Sequence, residues 1–183
     1  MDSLIKFLIS LLIISMPSFF AKCFSQSIYR TSNGHILISG GYEDSTFLAE
    51  SHKLEIDYNS INKSISSKIN LQTFISGIPF IDSILAEKPR YIFLSGYIPV
   101  DFLTWAHKEY NLDVSFEVRY NNIKITTPSK LKFKHIAKLM DYTCVMEASF
   151  GLKLSDFLNN LPRKIDSDIN IQFLQLILRR ESK

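Results

Sequence analysis

The chain has 183 residues, with 21 lysines and arginines against 18 aspartates and glutamates, for a formal charge of +3. This near balance excludes a general nucleic-acid binder, which would carry a strongly basic surface. The length fits one domain with a single hydrophobic core.

The start of the chain has the three parts of a secretory signal peptide. Lys6 lies in a short first part, an apolar stretch runs from Phe7 to Phe20, and small residues follow up to Ser25. The stretch is interrupted by serines and a proline, and it is shorter than the roughly 18 to 20 residues that a membrane-spanning helix needs. We therefore predict that residues 1–25 are a cleaved signal peptide, that residues 26–183 form a single domain, and that the protein is periplasmic or secreted by a bacterium.

The two cysteines bear on processing and on redox chemistry. Cys23 could be acylated after signal cleavage, although it follows Lys22 where such signals have a small residue, and an uncleaved anchor is a further alternative. Cleavage after Ser25 leaves Cys144 without a partner for an intrachain disulfide. Cys144 lies on the apolar face of a predicted strand, so we interpret it as a buried small hydrophobe and not as a reactive thiol.

Alternation of apolar and polar residues dominates the sequence from Lys53 onward. Such alternation is typical of half-buried antiparallel strands. The clearest hairpin runs from Leu112 to Thr127, with Asn121-Asn122 as a two-residue turn that tolerates positive φ. A long strand is predicted from Thr143 to Leu154. In the last strand the apolar residues change from odd-numbered to even-numbered positions, and this change of parity predicts a bulge near Phe173.

Two segments between the strands have helical spacing. Ile78 to Glu87 predicts a short helix, and Asp101 to Tyr110 fits either a helix or a hairpin. About eight antiparallel strands with one or two short helices make an all-β protein, which is either a barrel or a sandwich. We expect the barrel, because strands with one apolar face suit a sheet closed round one interior and closure removes exposed edges.

Residues that could carry chemistry are scattered along the sequence. His35, His52, His107 and His135 show no pairing at ligand spacing, so no metal site is predicted. The sequence also has no Gly-rich phosphate loop, nucleophile elbow or paired-carboxylate signature. We therefore expect neither an enzyme nor a protein with a cofactor.

A run of cations after the predicted hairpin is the clearest charge asymmetry. In strand geometry Lys130, Lys132 and Lys134 share one outward face. They could contact an anionic membrane surface or lipid headgroup. The alternative is a solvated face that is neutralised by acids on another strand, such as Glu55 and Asp57.

Five segments, taken in order, resemble one family of exported bacterial proteins. They are Phe47-Leu48-Ala49-Glu50 before Leu54-Glu55-Ile56-Asp57, Lys68-Ile69-Asn70-Leu71 before Ile81-Asp82-Ser83-Ile84-Leu85, Tyr91 to Ser95, Leu112 to Lys132, and Ala148 to Phe157. Their order is similar to that of the YceI-like family, whose members are lipocalin-like antiparallel barrels associated with polyisoprenoid and related lipids. The family has Arg and His in the short helix where this chain has Ile81 and Ile84.

The resemblance implies a lipocalin-like barrel that holds one amphiphilic, isoprenoid-like lipid and performs no chemistry. A barrel of about eight strands is either filled by side chains or holds one small apolar ligand. Strand parity and the resemblance together predict the ligand-binding residues Phe93, Phe116, Val118, Met146, Ala148 and Phe150. The alternative is a periplasmic interaction or inhibitor-type protein with a solid core. The sequence leaves the oligomeric state open.

Overall fold

The computed structural model describes residues 28–87, 91–100, 109–135, 144–158 and 162–180. The predicted signal peptide, residues 1–25, lies outside the described residues. So do residues 101–108, which include most of the segment predicted as a helix or a hairpin. No helix in the described ranges is long and apolar enough to cross a bilayer.

Eight strands and one α-helix follow one another along the described chain. The strands are β1 (Ile28–Tyr42), β2 (Ser45–Asn59), β3 (Ser64–Asn70), β4 (Tyr91–Tyr97), β5 (Tyr110–Tyr120), β6 (Ile123–His135), β7 (Cys144–Lys153) and β8 (Ile165–Arg180). Helix α1 (Pro79–Ala86) lies between β3 and β4, and 3-10 turns at Leu71–Thr73 and Leu154–Asp156 follow β3 and β7. Each strand pairs antiparallel with the next, and β8 pairs with β1, so the sheet closes. The predicted antiparallel barrel is confirmed.

The hairpin between β5 and β6 has the predicted turn. Asn121 has a φ of 57°, in the left-handed region that asparagine tolerates better than most residues. Tyr120 and Ile123 pair on either side of it. The turn therefore sets the register of β5 against β6, and with it the face that each side chain occupies.

The predicted bulge in the last strand is also confirmed. Met146 pairs with Leu176, whereas Ala148 pairs with Phe173, so β8 carries one extra residue opposite β7. That residue reverses the parity of β8, and as a result both Phe173 and Leu176 point into the core.

The middle of the barrel is filled by aromatic rings. Phe116 and Phe150 meet edge to face with centroids 5.6 Å apart, and Phe150 and Phe173 do the same at 5.7 Å. Gly96, which pairs with Phe116, leaves the room that this ring needs, because a Cβ at Gly96 would lie 2.7 Å from a Phe116 ring carbon. The edge-to-face contacts add about 0.5 to 1.5 kcal/mol each to the area that the rings bury.

The predicted helix at Ile78 to Glu87 is confirmed as α1. Pro79 occupies its first turn, where a missing N–H costs nothing. Ile81 is the residue of α1 that is fully buried against the barrel, and Ile84 and Leu85 are half-buried. The helix therefore covers one end of the barrel with its apolar side.

Candidate functional site

An apolar cavity of about 120 Å³ lies at the end of the barrel that α1 covers. Its walls come from β1, β2, β4, β5, β7 and β8, from α1, and from the 3-10 turns and the segment after β7. Among the described residues that line it, Tyr120 carries the only polar side-chain atom. An apolar cavity of roughly this size stays dry and accepts a small hydrocarbon such as benzene.

Polar contacts outside the cavity hold α1 in place. The Asp82 carboxylate accepts hydrogen bonds of 2.8 Å from the backbone N–H and from the hydroxyl of Ser76. These bonds lower the pKa of Asp82, and partial burial opposes the shift. Gln72 donates from Nε2 to the carbonyl of Ala86 at 3.3 Å. The helix is thus tied to its preceding loop near its first turn and at its last residue.

Tyr120 gives the cavity its single hydroxyl. Its ring meets that of Phe157 edge to face at 6.1 Å, which fixes the ring in the cavity wall. Burial, with a smaller contribution from the charge of Glu87, raises the pKa of Tyr120. The phenol is therefore protonated at neutral pH, and its O–H can donate to an oxygen of a bound molecule.

In the part of the chain that the structure describes, buried side chains fill the opposite end of the barrel. Ile98 and Val100, which follow β4, are buried there, and the Tyr58 hydroxyl donates to the carbonyl of Val100 at 3.1 Å. The Tyr29 and Tyr58 rings lie beside each other with centroids 6.2 Å apart. A ligand that uses the cavity must therefore approach from the α1 end.

Of the six residues predicted to bind a ligand, Val118 lines the cavity. Phe116, Met146, Ala148 and Phe150 point inward as predicted, but they belong to the filled part of the core. On β7, Leu152 lines the cavity, while the other inward residues lie successively farther from it along the strand. Parity identifies the inner face of a strand, but it does not say which end of the barrel is open.

The prediction that Phe93 faces the interior is wrong. Its side chain is 39% exposed on the outside of β4, and the Arg119 guanidinium lies 4.8 Å from its ring centroid. Leu94 takes the inward position with 2% exposure. The residues directly beside Phe93, Ile92 and Leu94, are as apolar as Phe93 itself, and only Ser95, exposed and of the same parity as Phe93, marks that face as the outer one.

The lysine row on β6 lies on the outer wall, as predicted. Lys132 pairs with Glu109 at 3.0 Å, and this bond raises the pKa of Lys132 and lowers that of Glu109. Lys130 stands opposite Asp113 on β5, and Lys132 stands opposite Glu147 on β7.

The acids beside this row are not Glu55 and Asp57, which were predicted to neutralise it. Asp57 pairs with Arg30 on β1, and Glu55 stands opposite Lys68 on β3. Because Asp113 lies on β5 and Glu147 on β7, the lysine row is flanked by acids on both neighbouring strands. This arrangement weakens its attraction for an anionic surface.

Cys144 is 2% exposed on the inner face of β7. Desolvation raises the pKa of its thiol to about 12. The thiolate is therefore scarce at neutral pH, and the interpretation of Cys144 as a buried hydrophobe is confirmed.

Comparison with known proteins supports the fold and leaves the sequence without a close match. No family model and no curated protein matches this chain. A solved structure of a polyisoprenoid-binding domain from Saccharophagus degradans, implicated in plant cell wall breakdown, is similar with a TM-score of 0.66. The two proteins share a fold. At 10% identity over 86% of this chain and 99% of that domain, the likeness concerns architecture and not membership of a family.

Proposed function

We propose that the barrel binds the apolar chain of an amphiphilic lipid at the cavity under α1. The observation that carries the proposal is the cavity itself, whose apolar wall has one hydroxyl at Tyr120. Small-molecule sites are usually lined by many apolar side chains and a few polar groups. The solved domain with the same fold is described as polyisoprenoid-binding, which supports an isoprenoid-like chain as the ligand.

The size of the cavity constrains how a lipid would bind. A volume of about 120 Å³ is below the roughly 300 to 1,000 Å³ typical of sites that enclose a whole ligand. The aromatic group of Phe116, Phe150 and Phe173 blocks deeper entry. We therefore propose that the end of the lipid chain enters the cavity and that α1 shifts to admit more of it.

We further propose that the protein acts outside the cytoplasm and without catalysis. Its predicted signal peptide supports export, and a lipid carrier or lipid sensor needs no reacting group. An anionic membrane surface stays a predicted contact of Lys130, Lys132 and Lys134. The neighbouring acids weaken this attraction.

Titration with a fluorescent apolar probe, followed by displacement with prenyl alcohols of increasing length, tests the proposal. We expect saturable binding of one probe per chain and displacement by the prenyl alcohols. If Val118→Phe leaves probe binding unchanged, the probe binds outside the cavity. No binding at all would exclude the lipid-binding function.

An interaction protein is the second candidate, and a row of exposed aromatic residues favours it. Tyr91, Phe93 and Tyr97 are 38%, 39% and 58% exposed along the outer face of β4. Aromatic side chains are enriched at protein interfaces. Under this candidate, Tyr97→Ser would abolish partner binding, and purified protein would carry no lipid.

A further inference from the structure

Three side chains that can bind metals meet on the outer wall of the barrel, where β1 pairs with β2. They are His35 on β1 and Glu50 and His52 on β2. In the sequence the two histidines do not form a recognisable ligand pair, because 17 positions separate His35 from His52. In the structure their rings stack with centroids 4.2 Å apart and an interplanar angle of 27°.

The strand geometry explains this convergence. Glu50 and His52 are two positions apart on β2, so both point away from the core, and both are exposed. Ile36 pairs with Ser51, which places His35 beside the two β2 residues. Gly34 pairs with Leu54 and Ile36 with Ser51, so β2 carries one extra residue opposite β1, at His52 and Lys53. Irregular positions of this kind often redirect a side chain next to a functional site.

The ligand atoms are already close to one another. His35 Nε2 lies 3.2 Å from Glu50 Oε2, and one ligand atom from each of the three residues fits within 4.8 Å of the others. Zinc binds imidazole nitrogen and carboxylate oxygen at about 2.0 to 2.2 Å, so tetrahedral ligands stand about 3.3 Å apart. Small rotations of exposed side chains are enough to reach that spacing.

The backbone beneath these side chains is held on both sides. Glu50 exchanges two backbone hydrogen bonds of 3.0 Å with Ile75, on the side of β2 away from β1. The Ser51 hydroxyl lies 2.6 Å from that of Thr73. The β2 ligands are therefore carried by a fixed strand and not by a loop.

We propose that His35, Glu50 and His52 together bind one divalent transition-metal ion of the zinc and copper class. Two imidazoles and one carboxylate suit such ions, whereas magnesium and calcium prefer oxygen ligands. Solvent completes the coordination, because Glu50 and His52 are exposed. The site lies on the outside of β2, whereas Phe47 on the inside of the same strand lines the apolar cavity. Metal binding is therefore independent of the proposed lipid-binding function.

The experiment is a calorimetric titration of the full chain, without an affinity tag, with zinc chloride. We expect one ion per chain, a rise in melting temperature with added zinc, and no heat from magnesium chloride. Loss of a residue that only hydrogen-bonds to a metal ligand lowers metal affinity roughly 10- to 100-fold, and loss of a ligand itself should cost more. We expect His35→Gln, Glu50→Gln and His52→Gln each to weaken zinc binding by at least this much.

Two exposed neighbours on β2 provide matched controls. Lys53→Gln changes the residue beside His52, and Glu55→Gln removes an outward carboxylate farther along the strand. Both should bind zinc as the parent does, and circular dichroism should show that all five variants keep the strand spectrum. Copper(II) electron paramagnetic resonance adds a second readout, with nitrogen coupling that His35→Gln and His52→Gln each reduce. No saturable zinc binding, or binding that the three ligand variants leave unchanged, would overturn the proposal.

Discussion

The rings of Phe116 and Phe150 meet edge to face, with centroids 5.6 Å apart and an interplanar angle of 80°. Phe150 makes a second contact of this kind with Phe173. These rings divide the interior of the barrel into a filled middle and an apolar cavity at the α1 end. Stability and the proposed ligand binding therefore involve different inward-facing residues, and separate substitutions can test them.

Filling the cavity should remove lipid binding without unfolding the protein. Val118 lines the cavity and is 1% exposed, so Val118→Phe places a larger side chain into the empty space. We expect its melting temperature to stay near that of the parent and its probe binding to be lost. Ala148→Leu is the control, because it adds volume in the filled middle and should overpack it by about 1 to 3 kcal/mol. Equal destabilisation by the two variants would show that the cavity has no usable space.

Truncating a central ring should cost stability. Phe150→Ala leaves a hole between Phe116 and Phe173, and we expect a loss of about 3 to 5 kcal/mol in the free energy of unfolding. Phe93→Ala makes the same chemical change on the outside of β4, where the contact with Arg119 is worth no more than about 1 kcal/mol. Urea denaturation of the pair measures the difference. Similar losses for both would contradict the inward and outward assignments.

Acid should loosen α1 through Asp82. Hydrogen bonds from Ser76 hold the pKa of this carboxyl below its ordinary value of 3.8. A lowered folded-state pKa contributes stability that is present above the ordinary value and is lost as pH falls through the folded pKa. We therefore expect the protection factors for amide hydrogen exchange in α1, which are corrected for the intrinsic rate at each pH, to fall below about pH 4. Asp82→Asn should exchange faster at neutral pH and show a flatter pH dependence in this window. The same acid dependence in Asp82→Asn and the parent would exclude Asp82 as the cause.

The hydroxyl of Tyr120 should distinguish prenyl alcohols from hydrocarbons. A neutral hydrogen bond contributes about 0.5 to 1.5 kcal/mol, so Tyr120→Phe should weaken binding of a prenyl alcohol by roughly 2- to 10-fold. Binding of a hydrocarbon of equal length should not change. Tyr97→Phe, on the exposed outer face of β4, is the matched control. Equal losses for alcohol and hydrocarbon would mean that Tyr120 contributes shape and not a hydrogen bond.

The sequence predicted those features of the fold that depend on local pattern. The asparagine turn at Asn121 and the bulge near Phe173 follow from φ preference and from parity, which short segments carry by themselves. Phe93 was misplaced because its neighbours are uniformly apolar.

The candidate site depends on long-range register, which the sequence pattern does not contain. The cavity gathers residues as distant in the chain as Ile38 and Ile169, and it exists only because β8 closes on β1. His35 and His52 meet for a similar reason, since the pairing of β1 with β2 brings them together. Strand parity alone could place these side chains inside or outside, but not beside one another.

Native mass spectrometry of the protein purified from its own membrane fraction tests the central claim most directly. We predict one bound lipid per chain, with a mass that corresponds to a prenyl compound, and its absence from Val118→Phe purified in parallel. A parent protein that carries no lipid, or a Val118→Phe variant that retains the same lipid in equal amount, would contradict binding at the cavity under α1.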